Sequence, residues 1–195
     1  MLTLLGIEEF TYTLELTVEA EGKRGRLSVP REEGEALKLP SPPAALDGEA
    51  YATLLELAEL QKAIKQALNA LSKGAHSKKA LFQKLLKKGV SKDHAKNAVL
   101  KAAFYGYIRE EADIRLWLLH FKEKQYGPKR VMQALMEKGY PQRAVEDVMA
   151  ELHQEGELDY DALKQQVFEG LLKEGLPKDK AKAKLERLGF GEDWV

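Results

Sequence analysis

The stretch Tyr126-Gly127-Pro128-Lys129-Arg130-Val131-Met132-Gln133-Ala134-Leu135-Met136-Glu137-Lys138-Gly139-Tyr140 reads as one helix with both of its ends written in. Gly127-Pro128 breaks what precedes it, and a proline near the first helical position loses only an N–H that has no partner there. Val131, Met132, Leu135 and Met136 fall on one helical face. Gly139 supplies the left-handed residue on which helices commonly stop. Upstream, Ile114, Trp117, Leu118 and Phe121 make a second apolar stripe. Downstream, Pro141 opens a third helix carrying Val145, Val148, Met149 and Leu152, which ends at Gly156. The unit is three helices.

The unit recurs. Lys87-Lys88-Gly89-Val90 lies 50 residues before Glu137-Lys138-Gly139-Tyr140, and Arg187-Leu188-Gly189-Phe190 lies 50 after it. The same offset aligns Leu81, Val131 and Ala181, then Leu85, Leu135 and Leu185. It also aligns Leu71, Phe121 and Leu171, and pairs Gly106 with Gly156. Chance supplies one or two such pairs but not an ungapped register, which is the signature of a repeat protein. The first copy has its stripes at Ile64/Leu68/Leu71, Leu81/Leu85 and Ala95/Val99/Ala102, and the third at Val167/Phe168/Leu171 and Ala181/Leu185, without a third helix.

Residues 1–50 follow another pattern. Tyr12, Leu14, Leu16 and Val18 alternate with Thr11, Thr13, Glu15 and Thr17, as in a strand with one buried face. Gly22-Lys23-Arg24-Gly25 reads as a turn, and Arg26–Val29 as a return strand ended by Pro30. The segment 31–50, with Pro40, Pro42 and Pro43, reads as a linker, and a long helix is expected from about Tyr51 to Ser72. The expected fold is mainly α: tandem three-helix, helix-turn-helix-like repeats forming an elongated arc, with a short N-terminal β-hairpin. Its segments are a hairpin and linker (1–50), a lead-in helix and first repeat (51–111), a second repeat (112–158) and a truncated third (159–195).

The chain has 195 residues, 44% of them hydrophobic and 32% charged, as in a folded, charge-rich protein. It contains no cysteine, which excludes a disulfide scaffold and thiolate chemistry. No apolar run reaches the roughly 20 residues that span a bilayer, and no signal segment opens the chain, so a cytoplasmic protein is expected. His76, His94, His120 and His153 are isolated, and no phosphate-cradling glycine loop occurs. Glu110-Glu111 falls at a repeat junction and reads as solvated, while Trp117 and Phe121 read as core. No catalytic residue, metal ligand or cofactor is expected.

The formal net charge of zero conceals segregation. Residues 1–62 hold 6 basic and 12 acidic side chains, whereas residues 63–112 hold 11 basic and 3 acidic. With Leu81 and Leu85 turned inward, Lys79, Gln83 and Lys87 form one outward row and Lys84 and Lys88 a second. Lys78, Lys92, Lys96 and Lys101 extend the positive region, and Lys129 and Arg130 occupy the matching helix of the next copy. Such a face attracts phosphates or an acidic protein surface, or is simply a solvated helix face.

Certain motifs add a resemblance. Leu71-Ser72-Lys73-Gly74-Ala75-His76-Ser77-Lys78-Lys79-Ala80-Leu81 resembles the opening of the first repeat of RecX proteins, bacterial regulators of the RecA recombinase. Tyr126-Gly127-Pro128-Lys129-Arg130-Val131-Met132-Gln133-Ala134-Leu135 is similar to the second-repeat signature, and Gly106-Tyr107-Ile108 and Gly156-Glu157-Leu158-Asp159 to the repeat junctions. The likeness covers about residues 51–190. It departs at Arg109-Glu110, where the family carries an acidic pair, and at Ala112-Asp113-Ile114, where it carries Arg-Phe-Ala. The resemblance implies a non-enzymatic, monomeric modulator that lies along the RecA filament on single-stranded DNA and suppresses ATP hydrolysis and strand exchange. DNA is then touched directly or through the filament. On this basis Lys78, Lys79, Lys84, Lys87, Lys88, Lys129 and Arg130 are the candidate contacts. A stand-alone helix-turn-helix nucleic-acid binder and a structural adaptor are the alternatives; lysine-rich rows with a single glutamine each favour phosphate or protein contact over base readout.

Overall fold

A computed structural model describes residues 2–191. The chain is mainly helical, with a small antiparallel sheet at its N-terminus. Strands β1 (Leu2–Glu9), β2 (Thr13–Ala20) and β3 (Lys23–Pro30) are followed by helix α1 (Arg31–Ala36), strand β4 (Ala44–Leu46) and helix α2 (Gly48–Leu71). Seven further helices follow: α3 (Lys78–Lys87), α4 (Lys92–Phe104), α5 (Glu110–Glu123), α6 (Pro128–Glu137), α7 (Gln142–Gln154), α8 (Tyr160–Lys173) and α9 (Lys178–Leu188).

The sheet is larger than the expected hairpin, with strand order β3-β2-β1-β4. Its β2–β3 turn is Glu21-Gly22, with φ of 53° and 75°, two residues before the predicted turn. Positive φ at both central residues is the two-residue turn whose twist matches the strands it joins. Leu14, Leu16 and Val18 are buried as their alternation requires, but Tyr12 lies outside β2 and is 69% exposed. The expected linker is structured: it holds α1 and β4, and Gly34 of α1 packs so closely that an added Cβ would stand 2.7 Å from Leu14 Cδ1.

Asp47 starts α2 by accepting from the Ala50 N–H at 2.7 Å, a carboxylate cap on an unpaired helical donor. The buried stripe of α2 is not Ile64/Leu68/Leu71 but Ala63, Ala67 and Ala70, beside Leu54, Ala58 and Leu60. It packs on α4, which buries Ala95, Ala98, Val99 and Ala102. Methyl-sized side chains on both partners let two helix backbones come close, so the bulkier Ile64 and Leu68 turn to the side.

The described chain divides into two compact units. One comprises the residues up to Gly74 together with Leu81–Tyr107; the other comprises Ala75–Ala80 and the residues from Ile108 onward. In the second unit, Ile114, Leu118, Val131, Leu135, Val145 and Leu152 are wholly buried in one core, and Ala181 and Leu185 anchor another.

Within this second unit one contact occurs twice. Ser77, just before α3, donates its hydroxyl to the Lys138 carbonyl at 2.9 Å and accepts from the Ala80 N–H at 3.1 Å. Gly127, just before α6, donates its N–H to the Leu188 carbonyl at 2.7 Å, and Lys129 N–H reaches the Gly189 carbonyl at 3.1 Å. Each start of a helix therefore seats on the end of a helix 61 residues further along. Two glycines make room. Gly139 has φ +87°, and a Cβ there would stand 2.7 Å from Ser77 Oγ. A Cβ on Gly127 would stand 2.4 Å from the backbone of Gly189 and Phe190.

Candidate interaction surface

Helix α3 is short and holds itself down through Leu81 and Leu85, both fully buried. Its outward side carries lysines beside Gln83 and the exposed Leu86. Lys78, Lys79 and Lys87 are exposed, as is Lys88 in the turn that follows, while Lys84 is half-buried. Arg130 and Lys129 stand in the first turn of α6, whereas Lys78 and Lys79 lie near its other end beside Gly139. Ten helical residues span about 15 Å, so the structure does not gather these four into one cluster.

Several cations are already engaged. Glu110 receives the Lys78 N–H at 2.8 Å on Oε1, and Lys78 Nζ stands 3.7 Å from its Oε2. A carboxylate is well placed at the start of a helix, where unpaired N–H groups and the helix dipole both favour negative charge. Glu110 is therefore a cap with a side chain only 14% exposed, not a solvated acid. Arg130 lays its guanidinium 3.9 Å from the centre of the Tyr126 ring and points Nη1 at the Arg187 carbonyl, 3.4 Å away. Lys138 covers the Trp117 ring at 4.0 Å, and Trp117 stacks on Phe121. This aromatic row is packed and covered, not an open platform.

Lys101 does not extend the positive face. Its ammonium lies 2.6 Å from Glu33 and 3.5 Å from Glu32. Burial pulls its pKa down, but the hydrogen bond and charge of Glu33, aided by Tyr105 and Glu32, hold it above the ordinary lysine value. In the other unit, Arg115 pairs with Glu155 and Glu157, and its hydrogen bond holds the Glu155 carboxyl below the usual range. Asp113 is raised, by burial first and by Glu110, against the pull of Arg109. No group of three potential metal-ligating side chains stands together among the described residues. None of their helices is long and apolar enough to cross a membrane.

Sequence reading missed a second surface. Phe10, Tyr12, Phe104, Tyr105 and Tyr107 are all exposed, with Tyr105 edge-on to Phe104 at 5.3 Å and to Tyr12 at 6.5 Å. The run Phe104-Tyr105-Gly106-Tyr107 is its one legible trace, since three rings around a helix-ending glycine exceed what a buried stripe needs.

No family model matches the chain. It is 26% identical over 134 residues to the regulatory protein RecX of Halorhodospira halophila, covering 66% of this chain and 81% of that one. It is 25% identical over 108 residues to the regulatory protein RecX of Caldanaerobacter subterraneus subsp. tengcongensis, and this match spans 55% of each chain. Among solved structures, a crystal structure of regulatory protein RecX superposes with a TM-score of 0.75 over 98% of this chain and 95% of its own, at 16% identity. That last likeness speaks for the fold alone. Sequence relatives of one name, on that shared fold, support a RecX family assignment for this chain.

Proposed function

We propose that the chain is a non-enzymatic regulator of the RecA recombinase, which binds along the RecA filament on single-stranded DNA and suppresses its ATPase and strand exchange. The observation that carries this reading is the pair of relatives named regulatory protein RecX. The chemistry supports it. Lys79, Lys87 and Lys88 offer compact, strongly hydrated charges to phosphates or carboxylates, and lack the planar donors that read base edges. The protein acts in the cytoplasm as a monomer, without cofactor.

Binding compared on naked duplex, naked single strand and RecA-coated single strand tests the proposal. Preference for the coated strand, with inhibition of its ATP hydrolysis and strand exchange, is the expected result. Equal affinity for naked and coated strand would favour the stand-alone nucleic-acid binder. Contact with Z phosphates of a single strand would then show as a log–log salt slope near −0.7Z. The purified protein should itself hydrolyse neither ATP nor nucleic acid.

A further inference from the structure

The first compact unit holds a cavity of about 320 Å³, within the size range of ligand sites. Its floor is apolar, from Ile64, Leu68 and Ala102, and its rim carries the rings of Tyr12, Tyr105 and Tyr107. Glu32, Glu33 and Glu35 line it against two cations, Arg31 and Lys101. Both cations are committed: Arg31 bonds Glu35 at 2.6 Å and Glu9 at 3.0 Å, and Lys101 bonds Glu33 Oε1 at 2.6 Å. Glu33 Oε2 is buried and receives no donor from the described residues. A buried carboxylate oxygen without a partner is costly, because it has given up water and gained nothing. Glu33 is one of the residues that line the cavity.

We propose that this cavity takes an arginine side chain presented by a protein partner. A guanidinium is planar, carries five N–H donors and stacks on aromatic faces, so a single group would answer both the unpaired Glu33 oxygen and the tyrosine rim. The lining carries three acids against two cations, which selects a positive occupant. The rings select a polypeptide over a free cation. Tyr12 and Tyr107 are 69% and 53% exposed, and Phe104 beside them 82%, an area that one guanidinium does not cover but flanking apolar side chains do. This site is independent of the α3 lysines, and its test does not involve RecA.

The test is a titration of the ¹⁵N-labelled full chain with the capped peptide Gly-Leu-Arg-Leu-Gly, with calorimetry for affinity. The peptide should move the amides of Thr11, Glu33, Lys101 and Tyr105. Citrulline in place of arginine keeps the shape but removes the charge, and should weaken binding by about tenfold, the worth of a charge-assisted hydrogen bond. Glu33→Gln should weaken it similarly while Glu8→Gln leaves it unchanged. Because Glu33→Gln also disturbs Lys101, the exposed pair Tyr12→Ala and Tyr107→Ala provides a second route, expected to cost about fivefold or more with an unchanged melting curve. Equal binding of arginine and citrulline peptides, or shifts confined to other surfaces, would overturn the proposal. Agmatine binding as tightly as the peptide would overturn the protein-partner half of it. A single-stranded oligonucleotide that moves the same amides more strongly would replace it with base stacking.

Discussion

Replacing Ser77 with alanine removes two hydrogen bonds with one atom. Its hydroxyl caps α3 through the Ala80 N–H and reaches the Lys138 carbonyl at the end of α6, and the residue is 1% exposed. Loss of a side-chain cap costs about 1 kcal/mol. Losing the second bond, with a carbonyl left short of a partner, costs about 1 kcal/mol more. Their sum of about 2 kcal/mol lowers Tm by about 4–8 °C in a chain of this size. Asp159→Ala in the same unit is the reference, since Asp159 caps α8 through Asp161 and Ala162 from an exposed position and bridges to nothing else; it should cost about half as much. Urea unfolding followed by circular dichroism reads both. Gly139→Ala sharpens the experiment: the left-handed backbone costs an L-residue about 1–2 kcal/mol, and its new Cβ meets Ser77 Oγ at 2.7 Å. Part of that clash disappears when Oγ does. The double variant should therefore lose less than the sum of the singles, by at least about 0.5 kcal/mol. Strict additivity, with Ser77→Ala no worse than Asp159→Ala, would refute a junction between the start of α3 and the end of α6.

Gly127→Ala places a methyl 2.4 Å from the Gly189–Phe190 backbone, which has no flexible end to yield; it should cost about 3 kcal/mol, the upper range for overpacking, and show as faster proteolysis of the α9 end. Lys87→Glu with Lys88→Glu should leave the melt within about 0.5 kcal/mol per site, because both side chains are exposed, yet weaken filament binding and ATPase inhibition. The same reversal at Lys178 and Lys180 should do less, and equal losses would separate binding from the α3 charge. The Ala162 N–H, opposed by burial and aided by the Asp161 N–H and His153, holds the Asp159 carboxyl below its ordinary range. Its contribution is thus intact above the unfolded carboxylate pKa near 4 and is lost as pH falls through the lower folded value, so Asp159→Asn should flatten the drop in urea midpoint between about pH 4 and pH 2. Burial first, then the Asp113 charge, pushes Tyr140 up to about 12, and burial pushes Tyr160 higher still, so an alkaline absorbance titration should show late-ionising phenols, of which Tyr140→Phe removes one and leaves that of Tyr160.

The helices were legible because their information is local. A stripe such as Val131/Leu135 and a stop such as Gly139 lie within one turn or two of what they determine. Strand β1 was not, and the reason is equally local. Leu2 and Leu4 alternate in phase, but a bulge shifts the β1–β2 register between Leu4 and Gly6, so the apolar positions change parity before Ile7. A bulge inserts one residue and turns the following side chains to the other face, which erases the period of two that marks a strand. The alanines of α2 were overlooked for another reason: hydrophobic periodicity weights leucine and isoleucine, whereas close helix contact rewards small size, a property of the partner helix as much as of the stripe.

The charge count was the least transferable reading, and the structure shows why. Counting along the chain assumes that neighbours in sequence share a surface, yet Lys101 is neutralised by Glu32 and Glu33, some seventy residues earlier. Lys78 is likewise tied to Glu110, and Arg130 to Tyr126 and the end of α9. The starts of α3 and α6 carry contacts inside the fold, whereas at the far end of α3 Lys87 and Lys88 are exposed and enter none of the contacts just described. Gly89 shares the left-handed backbone of Gly139 and Gly189, with φ +83°, but where those two receive the start of another helix, nothing among the described residues stands within 4 Å of the position its Cβ would take. The end of α3 thus differs from its two counterparts in being uncovered, and Lys87 and Lys88 stand beside it. If charge guides this protein to an acidic partner, the first variants to make are at these two lysines, ahead of the motif residues Lys129 and Arg130, whose resemblance to a family signature reflects in part how the helices seat on one another.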